Sequence, residues 1–227
     1  MQWRALAHGA VTVLMLNSEL SVAAHSAQWN YTRDALAAVD RAVTPWVVVA
    51  FHRPLYLVSR SASPSGPAGV RDPNFAPLEP LLVGGGVDAV LVGHIHNALV
   101  TCPVNNSVCG TGLPVHVCIG NAGQTGASLF VGAVAGGAAQ AAAHAQTSHP
   151  PPPLPRTTHC APPHTPRRAP RAVTEIQTNN VPEWVAFQRA AFGYSTLEAN
   201  ASHMSISLYG DDGSDANALW YTARFAK

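Results

Sequence analysis

Charge is scarce in this chain. Only 11% of its 227 residues are Asp, Glu, Lys or Arg, against roughly 25% in a typical domain. The two signs nearly cancel, leaving a formal net charge of +1, so nothing in the bulk electrostatics asks for nucleic acid as a partner. Long apolar runs are missing too. None reaches the ~18 residues of a transmembrane helix, and no membrane partner is expected. A phosphate loop is also absent: Gly84-Gly85-Gly86 has no Lys-Ser/Thr after it and reads as a flexible joint. Cysteine is limited to four residues. Cys118 lies in an apolar run and reads as a buried thiol, while Cys160 stands among prolines with no obvious partner. Cys102 and Cys109 are close enough for a short disulfide loop, a pairing that sequence alone leaves open.

What is present suffices for a core. Hydrophobic residues make up 47% of the chain, and the length suits one ordinary domain or two small ones. The chain is organised around Val87–Val92, a Val/Leu-rich run of buried-strand type, followed by Gly93-His94-Ile95-His96. In extended backbone, residues i and i+2 share a face, so His94 and His96 can project together from the strand end. A second such run, Trp46–Phe51, ends in His52-Arg53-Pro54-Leu55-Tyr56. In an α/β sheet, sites lie outside the carboxyl ends of the strands, where His52, His94 and His96 can converge. Neutral imidazole is a common ligand for borderline metals, although a strand-end histidine is often merely structural.

The remaining elements follow in order. Met1–Ala27 has a superficial likeness to a secretory leader, but His8 and Gly9 interrupt its apolar run, and Ala10–Asn17 reads better as a strand. Residues 26–42 suggest an amphipathic helix capped by Ser26, with Trp29, Leu36 and Val39 near helical spacing. Residues 59–73 are rich in Ser, Gly and Pro and read as a surface loop. Asn74–Leu82 is a helix shortened by Pro77 and Pro80. Pro114–Gly120 is a strand in which His116 fits better as a strand residue than as a ligand. Residues 133–178 carry Ala/Gly and Pro-rich stretches, scattered His and clustered Arg, the composition of a solvated insert. Near the end, Met204–Tyr209 alternates cleanly, Asp211-Asp212-Gly213 suits a hairpin turn, and 218–225 forms a last strand. Three N-x-S/T triplets, at Asn30, Asn105 and Asn200, are glycosylation candidates.

The segments TPWVVVAFHRPLY, VDAVLVGHIH, TCPVNNSVC and PVHVCIGNAG, in that order, resemble the second half of a purple acid phosphatase, within the calcineurin-like metallophosphoesterases. The resemblance covers about residues 9–130 and resumes at about 181–225. It implies an α/β fold, the C-terminal half of a four-layer metallophosphoesterase β-sandwich flanked by helices. Residues 1–132 and 179–227 would form the phosphatase domain around the 133–178 insert. It favours the Cys102–Cys109 disulfide and a secreted or vacuolar location, although no convincing leader is read in this chain.

The resemblance also implies hydrolysis of small phosphate monoesters by a metal-bound hydroxide at a binuclear centre, Fe(III) with Zn(II), Mn(II) or Fe(II). His52 and His94 would then bind the divalent ion and His96 the ferric one. Two departures bear on activity. Asn97-Ala98-Leu99-Val100 replaces the family's A-Y-E-R, removing groups that would support the ligands. The G-D-x-x-Y and G-N-H-E ligand motifs of the family's N-terminal half do not occur here, D-x-G occurs only as the Asp211-Asp212-Gly213 read as a hairpin turn, and no catalytic residue beyond the metal ligands is assigned. The expectation is an impaired acid phosphatase whose partner is a missing N-terminal half or a second copy of the chain. The alternative is a non-catalytic fragment or a mononuclear metal-binding module.

Overall fold

The computed structural model describes residues 2–58, 69–122, 181–211 and 215–227. Its centre is a mixed sheet that begins with the hairpin β1 (Arg4–His8) and β2 (Val11–Met15), turned at Gly9 with φ +55°. Strands β3 (Trp46–Ala50), β6 (Ala89–Val92) and β9 (Val115–Ile119) extend it in parallel from β2. Strands β7 (Ala98–Asn105) and β10 (Val185–Arg189) close the far side antiparallel, giving the order β1-β2-β3-β6-β9-β7-β10. The short β8 (Val108–Cys109) folds back on β7, and Cys102 is disulfide-bonded to Cys109 across this hairpin. The β-branched runs seen in the sequence are the interior parallel strands, as expected where both faces are covered: Val47, Val48, Val49 and Val90 have no exposed surface.

On one face of this sheet lie the helices α1 (Ala27–Ala37) and α2 (Glu79–Gly84), together with the small pair β4 (Tyr56–Val58) and β5 (Gly69–Arg71). Leu14, Val49, Val90, Leu99 and Cys118 from the sheet pack there with Leu36 and Leu82. The other face is covered by a three-stranded sheet, β11 (Gly193–Ala199), β12 (His203–Gly210) and β13 (Leu219–Ala226). Met204, Ile206 and Leu208, alternate residues of β12, meet Trp46, Val48, Val100 and Val117. The result is a sheet-on-sheet sandwich with helices outside, the α/β class expected from the sequence.

Several local expectations are corrected. The helix expected over 26–42 has its Ser26 cap, whose Oγ accepts from Trp29 N at 3.2 Å, but it stops at Ala37. Asp40 Oδ1 accepts from Ala42 N, a local bond that competes with continued helix. Its buried stripe is Gln28, Thr32 and Leu36 rather than Trp29, Leu36 and Val39. Gln28 can be buried because its amide accepts from Asn17 N at 2.7 Å and donates to Asn17 O at 2.9 Å at the end of β2. The loop read over 59–73 contains β5. The helix read over 74–82 is a 3-10 turn, Ala76–Leu78, followed by α2. Neither β1 nor β7 was expected as a strand. The 133–178 insert with its histidines, arginines and Cys160, and Asp212 and Gly213 of the expected hairpin turn, lie outside the described residues.

Candidate metal centre

The parallel strands β3 and β6 are neighbours, in register Val48–Ala89 to Ala50–Leu91. Their chain directions bring both histidine segments to the same end of the sheet. Gly93 N donates to His52 O at 2.9 Å and so extends the pairing by one step beyond the strands. The His52 Nε2 and His94 Nδ1 atoms lie 3.3 Å apart, with ring planes at 77°. Two imidazole nitrogens about 2.0–2.1 Å from a tetrahedral ion would stand about 3.3–3.4 Å apart. Without an ion, the same separation suits a weak hydrogen bond from one ring N–H to the other ring's lone pair.

His94 also has a left-handed backbone, φ +64°. For a non-glycine residue this conformation costs on the order of 1 kcal/mol, and such strain concentrates at functional sites. The loop is held from below. Cys118 Sγ, on β9, donates toward Gly93 O and Ile95 O at 3.4 and 3.3 Å. Gly120 lets this loop approach, since a Cβ there would stand 2.2 Å from Ile95 O. Burial pushes the Cys118 thiol up to about 11, so it is a structural donor rather than a thiolate ligand.

At the mouth, Arg53 pairs with Glu19, Nε to Oε1 at 2.7 Å and Nη2 to Oε2 at 3.0 Å, while Arg53 N donates to Ser18 Oγ. Burial, and then the positive charge of Arg53, hold the His94 imidazole below its usual range. The neutral ring, which is the ligating form, is thereby favoured. His96 is half-buried two residues further on. Among the described residues, no group of three or more His, Cys, Asp or Glu side chains is placed to share an ion. The structure thus brings His52 and His94 together and does not bring His96 into a three-ligand set. An imidazole pair suits part of one borderline ion's shell, but two hard cations need carboxylate charge. The described residues do not amount to a binuclear centre.

A second polar cluster escaped the sequence reading. Glu79, 1% exposed, accepts from Tyr56 Oη, Arg71 and Asn106 N, the last at 2.9 Å. Tyr56 Oη in turn accepts from Ser107 N at 3.0 Å, and burial followed by the Glu79 bond pushes its phenol up to about 12. The ring of His116 stands edge-on to Tyr56 at 4.8 Å, fully buried, with neither ring nitrogen hydrogen-bonded among the described residues. The cluster anchors the disulfide-closed hairpin rather than reaching the histidine pair. No motif announces it, because its members come from four separate segments.

The chain matches two family models. Residues 6–98 fit the calcineurin-like phosphoesterases, and residues 171–217 fit the iron/zinc purple acid phosphatase-like protein C family. It is 36% identical over 119 residues to a probable inactive purple acid phosphatase 9 of Arabidopsis thaliana, covering 51% of this chain and 18% of that protein. It is 37% identical over 114 residues to purple acid phosphatase 18 of the same plant, covering 50% and 25%. The chain thus spans a quarter or less of these curated relatives. A solved purple acid phosphatase from yellow lupin (Lupinus luteus) seeds shares the fold, with TM-score 0.64 at 20% identity, over 99% of this chain and 32% of that one. The resemblance read from the sequence is therefore borne out: over the matched residues the chain is similar to the calcineurin-like phosphoesterases and to the purple acid phosphatases.

Proposed function

We propose that this polypeptide is the C-terminal part of a metal-dependent acid phosphatase acting on small phosphate monoesters. It contributes His52, His94 and His96 to a metal site whose acidic ligands are on sequence that it does not contain. The observation that carries this reading is the convergence of His52 and His94 at 3.3 Å from the ends of adjacent parallel strands. His94 offers a nitrogen whose protonation is disfavoured by burial and by the Arg53 charge, Cys118 and Gly120 fix the loop that presents it, and Arg53, tied to Glu19, places positive charge at the mouth where a phosphate would approach. Among the described residues no set of carboxylates stands ready for a two-ion centre, so on its own the chain is expected to turn over little or no substrate.

The relatives point both ways, since one is named as a purple acid phosphatase and another as a probable inactive one. A second reading, a mononuclear binding module, draws on the same pair of nitrogens, whose spacing suits a single tetrahedral ion. Hydrolysis of p-nitrophenyl phosphate at acidic pH separates the two. The chain is assayed alone and after mixing with a separately expressed N-terminal half that carries the D-x-G and G-N-H-E motifs. Activity that appears only in the mixture, and is lost with His94→Ala plus His96→Ala, supports the phosphatase reading. Metal binding with no turnover in either sample supports the module.

A further inference from the structure

Strand β1 is an open edge. Among the described residues it pairs with β2 alone, and every one of its residues is exposed. Antiparallel pairing to a single neighbour leaves the N–H and C=O groups of alternate residues pointing away from the sheet. Natural edges are commonly blunted by proline, a bulge or an inward-pointing charge. Arg4–His8 contains no proline, and its register with β2 runs unbroken from Arg4–Met15 to His8–Val11. The edge is therefore open to a further strand.

The two faces of β1 differ. Leu6 lies opposite Val13, which packs toward the three-stranded sheet, and Arg4 and His8 share its face. Ala5 lies opposite Leu14 on the helix side, and Ala7 shares that face. Both are small, so a groove of about 350 Å³ opens along them, bordered by Ala35, Ala38, Val39 and Val43. Val43 is 68% exposed, and Leu6 on the opposite face is 49% exposed. The hydroxyls of Thr12 and Thr44 in the groove bond each other at 2.7 Å, and Asp40 Oδ1 accepts from Ala42 N at 2.9 Å. What the groove offers a ligand is mainly apolar surface.

We propose that β1 is a docking edge for an extended strand of another protein, apolar at successive positions and flanked by carboxylates. The main chain of that strand pairs with β1. Its side chains on the helix side fill the space that Ala5 and Ala7 leave. Its carboxylates meet Arg4 and His8, and β1 itself carries no acidic residue to compete for them. A second copy of this chain fits less well. Antiparallel pairing of two β1 strands centred on Leu6 would set Arg4 opposite His8 at both ends and would offer the groove only alanine. This surface uses none of the metal-site residues and does not depend on that site.

Fluorescence anisotropy on the full chain tests the proposal. The probe is a labelled, end-blocked peptide, Glu-Leu-Val-Leu-Glu, whose leucines face the groove when its valine faces Leu6, in either strand direction. It is compared with Lys-Leu-Val-Leu-Lys and with the acidic peptide N-methylated at both leucines. The acidic peptide should bind about tenfold more tightly than the basic one, as two cross-strand charge pairs provide. N-methylation should weaken it by about tenfold or more, since it removes main-chain donors. Arg4→Glu plus His8→Glu, at exposed positions and with an unaltered melting curve, should reverse the charge preference. No binding of the acidic peptide, or binding that N-methylation or charge reversal leaves unchanged, would overturn the proposal. So would a wild-type dimer in light scattering that Leu6→Lys dissolves, because the edge would then belong to a second copy.

Discussion

Replacing His116 with leucine should make the protein more resistant to acid. His116 is fully buried, its ring nitrogens have no partners among the described residues, and burial pushes its imidazole down to about 3 even though the Glu79 charge pulls the other way. In the unfolded chain the same ring titrates near its ordinary 6.5. Between these values the unfolded state binds the extra proton, so stability falls as the pH drops from 6.5 toward 3. At 1.36 kcal/mol per pKa unit the total is up to about 5 kcal/mol, of which roughly half is gone by pH 4.5. Other groups do not reproduce this difference. Burial raises the Glu79 carboxyl, but its bonds from Tyr56, Arg71 and Asn106 outweigh that and hold it below its usual range. His94 shifts in the same direction in both proteins and cancels. At neutral pH the orphaned ring N–H costs about 1–3 kcal/mol, offset by about 0.5–1.5 kcal/mol of ring contact with Tyr56. His116→Leu should therefore be near wild type or slightly more stable at pH 7.5 and clearly more stable at pH 4.5. Urea unfolding at both pH values measures this. Equal loss of stability with acid in the two proteins would refute the reasoning.

Three other perturbations probe the rest of the structure. Glu79→Ala leaves Tyr56 Oη, the Arg71 guanidinium and Asn106 N without their acceptor, and should cost about 3–5 kcal/mol in unfolding free energy. Gly120→Ala must displace Ile95 O, at a cost of about 1–3 kcal/mol. It should weaken metal binding at the histidine pair more than a matched alanine within β9, as a calorimetric titration would show. Cys118, buried and with its thiol pushed up to about 11, should resist iodoacetamide in the native protein and react on unfolding. Rapid native alkylation seen by mass spectrometry would contradict its placement under the loop.

The parallel strands β3, β6 and β9 were legible because strands buried on both faces must be apolar throughout, and runs such as Trp46–Phe51 show it directly. The histidine pair was legible for a related reason, since both segments follow such runs and parallel strands end on one side. Strand β1 was not legible: Arg4–His8 is exposed at every position, so no period marks it. Strand β7 begins immediately after the histidine loop and contains Pro103, and its pairing with β9 and β10 is set by tertiary contacts rather than by alternation. The buried stripe of α1 was misread because Gln28 and Thr32 look like surface residues until Asn17 and the helix backbone satisfy them. The Glu79 cluster was invisible for the same reason, its acceptors and donors being scattered from Tyr56 to Ser107.

His52 and His94 are expected to form part of a metal shell. Calorimetric titration with zinc, on the wild type and on His52→Ala and His94→Ala separately, tests it most directly. The wild type should bind one ion per chain and each variant at least tenfold more weakly, with the same melting curve in the absence of metal. Binding that is unchanged in both variants, or no zinc binding by the wild type, would show that the 3.3 Å approach of the two rings is a hydrogen bond and nothing more.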